Sequence, residues 1–122
     1  MPVLVDTSIW VEHLRHGHPQ LAALLLDGEV VTHPFVIGEL ACGNIKNRSE
    51  ILTLLKTLPT TILAEDDEVF RFIEAYRLMG LGLGYIDIHL LTSSKLSAIL
   101  VWTTDKILHD VANKLKLLFK AL

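Results

Sequence analysis

Short apolar runs alternate with longer amphipathic segments along the chain, and this alternation constrains the fold more than any other feature. Residues 2–6 (PVLVD) and 98–102 (AILVW) have the length and composition of buried strands. Residues 30–32 and 60–63 are weaker runs of the same kind, and residues 117–119 fit an edge strand. Strands that alternate with helices are typical of an open parallel sheet covered on both faces. We therefore predict an α/β fold of three α/β/α layers, with a central sheet of four to five mainly parallel strands.

Start and stop signals predict seven helices between these runs. Serine, threonine or aspartate at the N-cap and proline in the first turn mark helix starts, whereas glycine and a following proline mark helix ends. The first helix is expected to end at Gly17, and the fourth, over residues 48–58, at Pro59. The predicted helices begin at or just after Thr7 or Ser8, Pro19, Pro34, Arg48, Asp66, Gly84 and Asp105.

The length and cysteine content limit the class of protein. A chain of 122 residues fits a single domain over residues 1–122. No run of about 20 apolar residues is present, and the N-terminus lacks the basic and apolar regions of a signal peptide. Cys42 is the single cysteine, so an internal disulfide and a multi-cysteine zinc site are excluded. We therefore expect a cytoplasmic protein that does not cross a membrane.

The hydrophobic content and the net charge indicate which kinds of partner the chain can bind. Hydrophobic residues make up 51% of this short chain, which predicts an apolar interface with a second copy or with another protein. The net charge of -3 does not favour nucleic-acid binding by bulk electrostatics. An RNA substrate would therefore require a local basic patch or bound cations.

Four acidic residues stand in apolar surroundings. Asp6 and Asp105 each follow a predicted strand, and ligands of open parallel sheets bind beyond the carboxyl ends of the strands. Glu39 and Asp87 lie among apolar residues of predicted helices. Each acid also has a structural explanation, since Asp6 and Asp105 can cap helices, Asp87 can interact with a helix dipole and Glu39 can face solvent. Their common proximity to one edge of the sheet favours a shared site.

Carboxylates that converge on one site repel one another unless a cation lies between them. Oxygen ligands select Mg²⁺ or Mn²⁺, and the chain has neither a cysteine pair nor a His-x-x-x-His pair for a softer metal. Such ions promote phosphodiester hydrolysis. The four acids therefore predict a metal-dependent hydrolytic site.

Four short motifs, in this order, resemble those of PIN-domain nucleases. They are VLVDTS at residues 3–8, GEL at 38–40, GYID at 84–87 and VWTTD at 101–105. No single motif is specific, but the ordered set covers essentially the whole chain. More narrowly, the chain resembles the VapC-type toxins of type II toxin–antitoxin pairs.

The resemblance implies both a function and a site. The activity would be a Mg²⁺- or Mn²⁺-dependent endoribonuclease that acts on RNA as the toxin of a toxin–antitoxin pair. The partners would be a cognate antitoxin and a second copy of the chain in a homodimer. The metal-binding catalytic acids would be Asp6, Glu39, Asp87 and Asp105. Supporting hydroxyl groups beside them would be those of Thr7 or Ser8 and Thr103.

Three other interpretations compete with this one. A phosphotransfer receiver domain also binds Mg²⁺ at strand ends, but it needs an acidic pair near its first strand, where this chain has Asp6 alone. A catalytically inactive PIN-like binding module has no support from the four intact acids. Paired histidines could cleave RNA without metal by general acid–base catalysis, yet no paired arrangement is evident in the sequence.

Aromatic and basic residues are secondary candidates for RNA contacts. Trp10 and Phe35 could stack on bases, although their helical spacing favours core or interface positions. His89 is interpreted as a core or supporting residue. The candidate phosphate contacts, which solvated helix faces explain equally well, are Lys46, Arg48, Lys106, Lys114, Lys116 and Lys120.

Overall fold

Three short parallel strands form the centre of the computed structural model, which describes all 122 residues. Strand β1 (Val3–Val5) lies between β2 (Val30–Val31) and β3 (Leu100–Trp102). All three residues of β1 are buried. Because successive side chains of a strand point to opposite faces, both faces of the sheet are covered. The predicted α/β fold around a parallel sheet is confirmed.

Seven helices surround the sheet, as the start and stop signals predicted. Gly17 follows the first helix with a φ of 77°, a left-handed conformation that favours glycine. The prolines at 19 and 34 open the second and third helices, each after a histidine whose ring nitrogen accepts a backbone N–H. The helices are α1 (Thr7–His16), α2 (Pro19–Leu26), α3 (Pro34–Cys42), α4 (Arg48–Leu55), α5 (Asp66–Tyr76), α6 (Tyr85–Ser97) and α7 (Lys106–Lys114).

The sheet has fewer full strands than predicted. Residues 60–63 do not form a strand, because only Thr60 makes a single parallel bridge, with Thr32 beside β2. Residues 117–119 likewise contribute one bridge, from Leu118 to Val101 of β3. The central sheet therefore consists of three strands with a one-residue extension on each edge.

Two serines of α6 explain why residues 60–63 do not pair further. The backbone N–H of Ile62 donates to Ser97 Oγ (2.9 Å), and that of Ala64 donates to Ser93 Oγ (3.1 Å). Ser93 and Ser97 are four residues apart and therefore lie on one face of α6. The segment is thus held by hydroxyl groups of the helix layer instead of by a neighbouring strand.

Smaller differences concern helix ends. The predicted helix over residues 48–58 ends at Leu55, and bonds of the tighter i to i+3 type close its last turn, such as Thr57 N–H to the Leu54 carbonyl (3.0 Å). At the start of α1 the N-cap is Asp6, whereas Thr7 and Ser8 were predicted. Their hydroxyl groups instead donate hydrogen bonds to carboxylates, from Thr7 to Glu39 and from Ser8 to Asp6.

One cluster of 26 buried hydrophobic residues forms the core. Trp10 belongs to it, as its helical spacing predicted. Phe35 does not, since 38% of it is exposed. None of the helices combines the length and the apolar character that a membrane crossing needs.

The two serines provide a test of this packing. Ser93 is fully buried, so Ser93→Ala leaves the Ala64 N–H buried without an acceptor, which costs about 1 to 3 kcal/mol of unfolding free energy. Ser97→Ala affects the N–H of Ile62, which lies at the surface and can bond to water, so its cost should stay below about 1 kcal/mol. Urea denaturation measures both variants, and equal losses would contradict this account.

Candidate active site

Strand pairing positions Asp6 beside Thr103. β1 and β3 are parallel and in register, so Val5 lies opposite Trp102 and the next residues of both strands lie side by side. The Asp6 N–H donates to the Trp102 carbonyl (2.9 Å), and Thr103 Oγ1 donates to Asp6 Oδ2 (2.7 Å). Ser8 Oγ donates to the same oxygen (3.0 Å). The buried Asp6 carboxylate is therefore fixed through Oδ2, while Oδ1 has no hydrogen-bond partner.

The structural explanation for Asp6 is thus only partly correct. Asp6 occupies the N-cap position of α1, but its side chain makes no capping bond. The carboxylate turns instead towards the hydroxyl groups of Ser8 and Thr103.

The same hydroxyl groups connect Asp6 to the start of α7. The Thr104 N–H donates to Ser8 Oγ (3.1 Å), and the Asp105 N–H donates to Thr103 Oγ1 (3.0 Å). The Asp105 carboxylate also caps α7, since Oδ2 accepts the N–H of Leu108 (3.0 Å). Capping occupies one carboxylate oxygen and leaves Oδ1 without a partner, so the structural role and a role at the site are compatible.

Glu39 reaches this region from α3. Its side chain is exposed, and Oε1 accepts a hydrogen bond from Thr7 Oγ1 (2.8 Å). Thr7 is the neighbour of Asp6, so this bond connects α3 to the carboxyl end of β1. Thr7, Ser8 and Thr103 therefore each contact one of the predicted acids.

Asp87 interacts electrostatically with the other three predicted acids. It is half-buried in the first turn of α6, and its pKa is raised to about 6. Burial is the largest cause, followed by the charges of Asp6 and Asp105, and the charge of Glu39 adds to them. A backbone contact with Gly84 acts in the opposite direction. The charges of the other three acids are therefore felt at the Asp87 carboxylate.

The donor set fits a hard divalent cation. All four side chains offer oxygen, and none of them forms an ion pair with lysine or arginine. As the side chains stand, no group of three histidine, cysteine or acidic residues is close enough together to hold an ion. Repulsion keeps such carboxylates apart, and a cation between them reverses it. Binding would therefore require the carboxylates to move towards one another.

A cleft of about 410 Å³ beside Glu39 carries basic residues that the sequence did not single out together. Arg15 of α1 and Lys46 of the loop after α3 line it, and neither forms an ion pair. We call it the basic cleft. Arg48, a predicted phosphate contact, instead donates two hydrogen bonds to the Ala41 carbonyl (3.0 and 2.8 Å) and stabilises the end of α3. Arg15 and Lys46 are far apart in the sequence, and only the fold brings them to the same cleft. No sequence pattern could therefore have connected them.

The buried histidine pair near α3 and α6 does not fit the histidine mechanism, whereas His16 is exposed and lines the basic cleft. His33 and His89 are the pair whose charges influence each other near α3 and α6, and both are buried. Burial, and then the charge of His89, lowers the pKa of His33 to about 4. Rings buried in this way cannot reach a phosphodiester, and His89 is a core residue as predicted.

Comparison with known proteins agrees with the fold. The family model of the PIN domain matches residues 3–114. Ribonuclease VapC32 of Mycobacterium tuberculosis strain ATCC 25618 / H37Rv is 47% identical over 105 residues, which is 85% of each chain. Ribonuclease VapC32 of strain CDC 1551 / Oshkosh gives the same values. The chain therefore belongs to the PIN-domain family, and within that family to the VapC type.

The raised pKa of Asp87 gives a prediction for the metal-free protein. An acid whose pKa is higher in the folded than in the unfolded state stabilises the fold when protonated. This stabilisation is fully present below the unfolded pKa of about 4 and is lost as pH rises through about 6. Asp87→Asn removes the charge, so in EDTA at pH 7 the free energy of unfolding should rise by ~1 kcal/mol after allowance for solvent screening. This corresponds to a rise of about 3 °C in the melting temperature.

Asp27→Asn is the matched control, because Asp27 is an exposed aspartate at the end of α2. It removes a negative charge from the C-terminal end of a helix, so it should raise the melting temperature by no more than about 1 °C. The difference between Asp87→Asn and the wild type should disappear at pH 4. Equal melting temperatures at pH 7 in EDTA would show that the four acids do not repel one another as described.

Proposed function

We propose that the chain is a metal-dependent endoribonuclease that hydrolyses RNA phosphodiester bonds, and that it is the toxin of a toxin–antitoxin pair. Asp6, Glu39, Asp87 and Asp105 are its metal-binding catalytic acids. The observation that carries the proposal is the placement of Asp6 and Asp105 at the ends of adjacent parallel strands, joined through Thr103, with Asp87 near enough for their charges to raise its pKa. The names of the VapC32 relatives, both called ribonucleases, support RNA as the substrate.

The proposed cofactor is Mg²⁺ or Mn²⁺. PIN ribonucleases generally use divalent metal ions, and a set of carboxylate oxygens favours the hard cations among them. When bound, such a cation supplies the positive charge that stabilises phosphodiester hydrolysis and that the acidic chain itself lacks.

The hydroxyl groups around the acids position them for this task. Thr103 and Ser8 hold Asp6 Oδ2, and Thr7 holds Glu39 Oε1. Each bond removes freedom from a carboxylate while leaving its other oxygen available as a ligand. Arrangements of this kind orient ligands and strengthen metal binding.

The basic cleft is the proposed contact for the RNA backbone. Arg15 and Lys46 line it next to Glu39, and neither side chain is neutralised by an acid. Unpaired cations at this place attract phosphate groups towards an otherwise acidic site. The two residues supply the local positive charge that a net charge of -3 does not provide.

A second cleft fits the proposed antitoxin. It measures about 310 Å³, lies between α1, α2 and α4, and seven of its nine lining residues are hydrophobic. Leu14 lines both this apolar cleft and the basic cleft. An apolar antitoxin segment bound here would extend towards Glu39, where an arginine of the partner could pair with the acids. Such a segment would compete with RNA for the site.

The proposed assembly is a homodimer. Large apolar side chains such as Ile62, Leu63 and Leu81 are about half exposed, which favours a surface covered by another subunit. We also propose that the chain acts in the cytoplasm, since this is where an RNA substrate is found. Light scattering should give twice the chain mass of 13.6 kDa, and a monomer at micromolar concentration would contradict the homodimer.

Cleavage of RNA by the wild type and by Asp6→Asn tests the proposed function. With Mg²⁺ or Mn²⁺ the wild type should cut single-stranded RNA and leave 5′-phosphate ends, and EDTA should abolish the reaction. Asp6→Asn removes one ligand charge while keeping the shape of the side chain, so we expect at least a ~100-fold lower rate. Asp27→Asn should cut at the wild-type rate.

The outcomes separate the competing functions. Cleavage that survives EDTA and leaves cyclic phosphates would assign the reaction to histidines. Metal binding without turnover on varied RNAs would identify an inactive binding module. A phospho-aspartate formed from acetyl phosphate would identify a receiver-like domain.

A further inference from the structure

Five rings form a continuous line across α5, α6 and α3. Their centroids are 6.0 Å apart from Phe70 to Tyr85, 4.7 Å from Tyr85 to His89, 4.9 Å from His89 to Phe35 and 5.0 Å from Phe35 to His33. Each ring lies edge-on or tilted towards the next, which is a favourable packing for aromatic rings. We call this set the aromatic line.

Three members of the aromatic line are open to solvent. The exposed fractions are 55% for Phe70, 42% for Tyr85 and 38% for Phe35. His89 and His33 are buried and support the exposed rings. Grouped apolar surface of this kind on a folded protein indicates a binding surface more often than isolated exposed residues do.

Hydrogen bonds hold the line rigidly. Tyr85 Oη donates to Asp66 Oδ1 (2.6 Å), and His89 Nε2 lies 3.1 Å from the same oxygen. The bond to Asp66 raises the pKa of Tyr85 to about 12, so the phenol stays neutral. Rings that are already fixed lose little conformational entropy when a ligand stacks on them.

The line leads to the catalytic acids. Phe35 precedes Glu39 by one turn of α3, so the two side chains share a face with about 6 Å between their Cβ atoms. Tyr85 opens α6, the helix that carries Asp87. Phe35 therefore lies beside one proposed metal-binding acid, and Tyr85 stands two residues before another in the first turn of α6.

We propose that Phe35, Tyr85 and Phe70 form a subsite that stacks unpaired bases of the RNA next to the phosphate that is cut. The inference rests on the proposed ribonuclease function. Four carboxylates repel the phosphate backbone, so neutral base faces provide a contact that needs no further cation. Stacking on aromatic rings tolerates any base but requires an unpaired one. The subsite thus favours unpaired segments of RNA.

Leucine substitutions test the subsite, since leucine keeps apolar bulk and helix propensity but removes the ring. The probe is a single-stranded RNA dodecamer with 2-aminopurine beside the cleavage position. Phe35→Leu and Tyr85→Leu should each raise KM about tenfold, leave kcat within about twofold and reduce the quenching of 2-aminopurine on binding. Tyr85→Phe keeps the ring and should retain the quenching.

Tyr76→Leu is the matched control, because Tyr76 has the same 42% exposure as Tyr85 but packs against Phe72, away from the aromatic line. It should change neither KM nor quenching. Undiminished quenching in both leucine variants would overturn the proposal. The proposal would also be overturned if both leucine variants, but not Tyr76→Leu, had the mass of a monomer. The rings would then lie in a subunit interface.

Quenching is measured in Mg²⁺ on a dodecamer protected by phosphorothioates at the cleavage position, which needs no turnover and so separates the two proposals. A wild type that quenches 2-aminopurine but never cuts RNA would refute the ribonuclease function and keep the stacking surface. A wild type that cuts RNA without quenching would refute the stacking surface alone.

Discussion

The parallel pairing of β1 with β3 is the interaction on which the site depends. The register that sets Val5 opposite Trp102 also sets Asp6 beside Thr103, whose hydroxyl group donates to the Asp6 carboxylate at 2.7 Å. The same hydroxyl accepts the N–H of Asp105 and so fixes the start of α7. A shift of one residue in this pairing would reverse the faces of the strand and separate the two acids. The core and the site therefore depend on the same backbone register.

Electrostatic repulsion among the acids of the site destabilises the fold. Burial and three neighbouring acids raise the pKa of Asp87 to about 6, which means that its charged form is disfavoured when no cation is present. Proteins often retain such local destabilisation where function requires it. In this chain the hydroxyl groups of Thr7, Ser8 and Thr103 hold the acids in place despite the repulsion. The same cluster of negative charge would attract a divalent cation, and the bound cation would remove the repulsion.

The sequence predicted what depends on local pattern and missed what depends on tertiary contacts. Helix starts at Pro19 and Pro34 and the strand before Asp6 follow from composition and from the residues that flank them. Residues 60–63 have strand composition, yet Ser97 of α6 accepts the N–H of Ile62 and Ser93 accepts that of the following Ala64, and no local signal encodes that competition. The four acids were predicted from their apolar surroundings and the family resemblance. The aromatic line joins three helices that are distant in sequence, so only the fold brings its rings together.

The central claim is that Asp6, Glu39, Asp87 and Asp105 together hold a divalent cation. Anomalous diffraction from crystals soaked in MnCl₂ tests it directly, because manganese can be located independently of the protein atoms. The account predicts an anomalous peak bounded by these four carboxylates, with Asp6 still bonded to Thr103, and no such peak in Asp87→Asn crystals. A manganese peak at another position, or none at a concentration that supports RNA cleavage, would contradict the claim.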